Sequence, residues 1–92
     1  MTAGKSRFND LVIRLVYLLE GSSTQKRKRA AVRTLKALRR TGSRFRFVES
    51  GGGVFLWVMK VVEGEEIRVS IPATGRVKDL VRRAGIPESR RS

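Results

Sequence analysis

The stretch ESGGGVFLWVMK, residues 49–60, sets three consecutive glycines against the most apolar run of the chain. A glycine triplet can serve as a phosphate cradle, an active-site loop or a hairpin turn, and the residues that follow it discriminate among the three. No Gly-Lys-Ser/Thr follows, so the P-loop pattern is missing, and the spacing is not a GxGxxG run opening a helix. The continuation from Val54 to Val62 is nearly uninterrupted apolar sequence, as expected of a central strand. The helix N-terminus that would hold a phosphate is therefore missing as well. The triplet reads as the turn between two strands, where glycine takes positive φ without steric cost.

Both flanks support a sheet. In SRFRFVES (43–50) the side chains alternate, with Phe45 and Phe47 to one side and Arg44 and Arg46 to the other. EGEE (63–66) contains a second turn around Gly64. IRVSI (67–71) alternates again, Ile67, Val69 and Ile71 inward, Arg68 and Ser70 outward. Pro72 ends the run because proline cannot donate to a ladder. The expectation is a three-stranded antiparallel meander.

Helical periods surround it. Residues 6–20 place Phe8, Leu11, Val12, Leu15, Leu18 and Leu19 on one broad face, with Ser6 as the expected N-cap. Ile13 and Val16 widen that face, which suits either core packing or docking to a ribosomal or other protein partner. GSS (21–23) breaks the helix. Residues 24–41 form a second helix, capped by Thr24 and stopped by Gly42. At 100° per residue, Lys26, Arg29, Arg33, Lys36 and Arg40 share one face, and Ala31, Val32, Leu35 and Leu38 lie opposite. RVKDLVRRA (76–84) closes the chain as a short helix, with Val77, Leu80, Val81 and Ala84 at i, i+3, i+4 and i+7 and Gly85 at its C′ position. The fold class is α+β in the order ααβββα: an N-terminal helical extension over 1–23 and a basic αβββα domain over 24–92, its meander packed against helices.

Composition narrows the chemistry. The chain has 92 residues, enough for one small domain. Lys and Arg total 21 against 8 acids, a net charge of +13. Such an imbalance opposes folding by self-repulsion unless a polyanion neutralises it. Between Gly21 and Val48 every charged residue is Lys or Arg. A solvated helix face ordinarily mixes Glu with Lys, because opposite charges at i,i+4 stabilise a helix and like charges destabilise it. A helix that contacts phosphates explains the departure. There is no cysteine and no histidine, which excludes disulfides, thiolate or imidazole metal sites, and imidazole catalysis. Glu63, Glu65 and Glu66 cluster in a turn without the spaced ligands of a calcium loop. No cofactor and no catalytic residue is expected. The longest apolar window, LVIRLVYLL (11–19), is too short to span a bilayer and carries Arg14 at its centre. A cytoplasmic location is expected, and the scarcity of Asn, Gln and Cys fits a thermophilic source.

Three further stretches resemble the HicA family of small RNA-cleaving proteins, whose fold is like that of a double-stranded-RNA-binding domain: AVRTLKALRRTG (31–42), IRVSIP (67–72) and VKDLVRRAGIP (77–87). The resemblance covers roughly two-thirds of the chain and implies an αβββα core that handles RNA, with residues 6–20 as an extra helix. It does not carry over catalysis. Between its first two strands that family keeps a catalytic histidine in a Gly-Ser-His-like motif, and here the corresponding place is Gly52-Gly53-Val54.

The expected function is non-catalytic RNA binding, as in a small component of a ribonucleoprotein such as the ribosome. The expected contacts are Lys26, Arg27, Lys28, Arg29, Arg33, Lys36, Arg39 and Arg40 on the second helix. Arg44, Arg46 and Arg68 extend the contact across the sheet edge, and Arg82 and Arg83 add a second cluster with Arg90 and Arg91. The alternative is an inactive relative of a toxin, or a DNA-binding regulator, acting through a protein partner on helix 6–20. Sequence-specific DNA reading is the less favoured, because base-reading Asn and Gln are nearly absent.

Overall fold

The two hairpins set the sheet. A computed structural model describes residues 3–21 and 23–87, so the expected contacts at Arg90 and Arg91 lie outside the described residues. Its elements are α1 (Ala3–Leu19), α2 (Gln25–Arg40), β1 (Arg44–Ser50), β2 (Gly53–Val62), β3 (Glu65–Pro72) and α3 (Gly75–Arg83). The sheet is antiparallel in the order β1-β2-β3, the expected meander.

Ser50 pairs with Gly53, which leaves Gly51 and Gly52 as a two-residue loop with φ of 60° and 83°. Positive φ at both central positions is the type I′ requirement, matched to the twist of the strands. A Cβ at either glycine would meet nothing within 4 Å, so the demand is conformational and not one of space. Only two of the three glycines serve the turn, since Gly53 is already the first residue of β2. The second hairpin repeats the geometry at Glu63 and Gly64, with φ of 53° and 79°.

Register decides which face of the sheet is covered. Phe45 pairs with Val58 and Phe47 with Leu56, while Leu56 pairs with Ile71 and Val58 with Val69. These residues share one face, and Leu56, Val58 and Ile71 are buried in a single cluster with residues from all three helices. Strand alternation then sends Phe55, Trp57 and Met59 to the opposite face, where they stay only half-buried. All three helices therefore lie on one side of the sheet.

Both ends of α2 and the C-terminal end of α3 follow their sequence signals, whereas α3 starts at Gly75 behind a Thr74 cap, one residue before the expected 76–84. The Thr24 hydroxyl accepts from Arg27 N at 3.2 Å and the Thr74 hydroxyl from Val77 N at 3.3 Å, each an N-cap. At the other ends, Ser43 N donates to Leu38 O and Gly42 N to Arg39 O, and likewise Ile86 N to Val81 O and Gly85 N to Arg82 O. Both are Schellman motifs, with Gly42 and Gly85 at C′.

Three details depart from the sequence expectation. α1 starts three residues before Ser6, which lies inside the helix. Thr34, not Val32, completes the buried stripe of α2 beside Ala31, Leu35 and Leu38. Its hydroxyl is satisfied by donating to Ala30 O at 2.8 Å, which makes burial of a polar side chain tolerable. On α1, Ile13 is 66% exposed, whereas Phe8, Val12, Leu15 and Leu18 are buried in the shared core. Among the described residues no helix is long and apolar enough to cross a membrane.

Candidate nucleic-acid interface

Thirteen cations were expected at the interface, and the fold distributes them among three environments. The first is the outer face of α2. Lys26, Arg29, Arg33, Lys36 and Arg40 are all exposed, on the side of the helix away from Ala31, Leu35 and Leu38. Among the described residues no side-chain hydrogen bond, ion pair or ring contact engages these five. Where α2 passes α3, Lys28, Arg29 and Arg33 line a shallow groove with Arg83, and Val32 forms part of its floor. Arg83 is held there by an ion pair with Asp79, 3.0 Å from Nε to Oδ2. Arg82 is exposed at the preceding position of α3.

In the second environment the guanidinium is engaged by backbone carbonyls of the protein itself. Arg27 does not point with the other cations. Its Nη2 donates to Tyr17 O of α1 at 2.7 Å, and its guanidinium lies 4.9 Å from the Tyr17 ring centroid. Arg39 Nη1 donates to Gly85 O at 2.6 Å, tying α2 to the end of α3. Both are clamps between helices, and each has guanidinium donors spent on protein carbonyls. Arg76, absent from the expected set, has the same character. Its Nη1 donates to Leu19 O and Gly21 O, and its Nη2 to Leu18 O, each at 3.1 Å. Lys60 Nζ donates to Thr41 O, the C-cap residue of α2.

These contacts answer a question that α1 poses. A helix leaves its last four carbonyls without intrahelical partners, and its C-terminus carries partial negative charge. α1 has no basic residue in its own last turn. Arg27 from α2 and Arg76 from α3 supply the donors and the positive charge instead. Part of the basic excess is thus consumed inside the fold.

The third environment is the side of the sheet that faces away from the helices. Arg44, Arg46 and Arg68 are exposed there, on the open face rather than along its edge. Arg46 pairs with Trp57 across β1 and β2, and Arg68 with Met59 across β2 and β3. The Arg68 guanidinium lies 4.1 Å from the Trp57 ring centroid. The structure therefore brings Arg83 to α2 but separates the sheet arginines from it by the thickness of the sheet. Sequence alternation assigns Arg44, Arg46 and Arg68 outward; it carries no signal for the clamps, whose partners lie on other helices.

Comparison of the chain with protein-family models, with curated proteins and with solved structures finds no match. The residues themselves carry the functional argument.

Proposed function

We propose that the protein is a non-catalytic RNA-binding protein that grips the phosphate backbone, acting as a small basic component of a ribonucleoprotein such as the ribosome. The observation that carries this reading is the outer face of α2: five exposed cations, no acid among them, and none engaged by another described side chain. Arg29 and Arg33, and Lys36 and Arg40, stand at i,i+4, where like charges destabilise a helix by about 0.2–0.5 kcal/mol per pair. A polyanion laid along the face turns that repulsion into attraction and releases its own condensed counterions. The groove with Arg83 extends the cationic surface onto α3.

RNA is favoured over sequence-specific DNA because the surface offers arginine forks for phosphates and almost none of the Asn and Gln side chains that read adenine in a major groove. The order α2-β1-β2-β3-α3 is also the order implied by the resemblance to RNA-handling αβββα proteins. Gly52-Gly53-Val54, at the place of that family's histidine, supports a role that holds RNA without cutting it.

A salt titration against a blunt-ended RNA duplex tests the proposal. Log affinity falls linearly with log salt, with a slope of about −0.7 to −0.9 per phosphate neutralised. Replacing Arg29, Arg33, Lys36 and Arg40 together by Ala removes up to four contacts and flattens the slope by about 3. An unchanged slope and an unchanged affinity in the quadruple variant refute the assignment.

A further inference from the structure

The sheet surface opposite the helices has a composition that phosphate contact alone does not explain. Phe55, Trp57 and Met59 follow one another on the outward positions of β2; Arg44 and Arg68 flank Met59, Arg46 and Ser70 flank Trp57, and Val48 and Pro72 flank Phe55. Large apolar side chains on an uncovered sheet face expose surface that folding would otherwise hide, and here they are only half-buried. No described element of this chain packs on that side.

We propose that this face is a second nucleic-acid surface, one that takes the unpaired bases of single-stranded RNA by stacking them on Trp57 and Phe55. The inference rests on the RNA-binding reading for the identity of its ligand, and adds to it a separate surface and a strand state. Three features of the face point to bases as the occupant. The first is spacing: side chains two apart on one strand stand about 7 Å from each other. That is close enough for one extended strand to lay successive bases over both rings. The second is Arg68. Its flat guanidinium already lies 4.1 Å from the Trp57 ring centroid, so one face of the indole accepts a planar cationic π-partner. A base can add beside this stack or replace the guanidinium, freeing Arg68 for a phosphate.

The third feature is charge. Three arginines stand beside Trp57 and Met59, and the acid on this face is Glu66, paired with Val61 at one end. A second copy of the chain laid face to face would set arginines against arginines. A polyanion whose bases are apolar on their flat sides complements both properties of the face. Duplex RNA does not, because its bases are stacked on each other and its major groove is closed to side chains.

The chain has one tryptophan, so its emission reports on this face alone. The probe is an oligouridylate of about 12 nucleotides, within the site sizes seen for small single-strand-binding modules. It is titrated into the full chain at low salt beside a blunt RNA duplex. The oligouridylate is expected to quench Trp57, and the duplex to bind without quenching it. Trp57→Leu is expected to weaken oligouridylate binding, followed by anisotropy of the labelled RNA, by about 5- to 100-fold while duplex affinity stays within twofold. The quadruple α2 variant is expected to keep the quenching.

Duplex binding together with unquenched Trp57 and unaltered oligouridylate affinity in Trp57→Leu overturns the proposal and leaves the α2 reading standing. Failure of both RNAs to bind overturns both. Sedimentation supplies the remaining arm: a dimer that Trp57→Lys converts to monomer makes the face a self-interface and overturns the proposal.

Discussion

Arg76 is the residue on which the structure makes its sharpest claim, because the sequence offers no reason to separate it from twenty other cations. Its guanidinium donates to Leu18 O, Leu19 O and Gly21 O, three carbonyls at and just beyond the end of α1. Replacing it by Met keeps most of the aliphatic stem and removes all three donors. Hydrogen bonds from charged groups contribute about 1.5–3 kcal/mol each. The sum is smaller here, because the Gly21 carbonyl is exposed and returns to water when the arginine is lost. The Leu18 and Leu19 carbonyls are partly buried and are less easily rehydrated. Loss of the charge from the α1 C-terminus adds a few tenths of a kcal/mol. The expected destabilisation of Arg76→Met is about 2–3 kcal/mol. For a chain of this length that lowers the Tm by about 10–20 °C.

The assay is urea unfolding followed by Trp57 emission and by far-ultraviolet circular dichroism. Duplex RNA affinity is measured at low temperature, where the variant remains folded. Affinity is expected to stay within about twofold of the parent, since the guanidinium faces carbonyls and not solvent phosphates. Arg76→Lys restores less than half of the loss, because a single ammonium cannot reproduce a fork that reaches three acceptors. A stability change under 0.5 kcal/mol in Arg76→Met, or a loss of RNA affinity in the folded variant, refutes the assignment of Arg76 to the scaffold.

Two further substitutions test the fold directly. Phe8, 1% exposed, anchors α1 in the shared core; Phe8→Ala is expected to cost about 3–5 kcal/mol, measured by chemical unfolding, and a loss under 1 kcal/mol would show that α1 is dispensable to the core. Glu63 holds φ of 53° in the β2–β3 turn, where a glutamate is strained, so Glu63→Asn is expected to stabilise by about 0.5–1 kcal/mol and to raise the Tm, since Asn tolerates this conformation and Asn-Gly is a favoured type I′ pair.

Much of the architecture was legible along the chain because it depends on short-range geometry. Gly51-Gly52 and Glu63-Gly64 mark two hairpins, Thr24 caps α2, and Gly42 and Gly85 end α2 and α3. Each is a backbone requirement met within a few residues. The cationic face of α2 follows from the helical period alone. Other features needed the third dimension. VFLWVMKVV carries apolar side chains at both parities, and its one charge, Lys60, falls at the parity of Leu56 and Val58, so nothing within it marks that side as the covered one. The pairing of Phe47 with Leu56 and Phe45 with Val58 assigns Leu56 and Val58 to the core and leaves Trp57 outside. Thr34, at i+3 from Ala31, takes the place expected of Val32 in the core stripe, and its burial is tolerable because its hydroxyl donates to a carbonyl of its own helix.

The element order, the turns and the excess of positive charge thus follow from local sequence. The tertiary structure alone decided how that charge is divided. Arg29 and Arg33 face solvent, while Arg27, Arg39 and Arg76 close on carbonyls of other helices, in the case of Arg76 and Leu18 across 58 residues of chain. The physical reason is that a local pattern sets the direction in which a side chain leaves its own helix, whereas its partner is the end of a different helix, delivered only when the core closes.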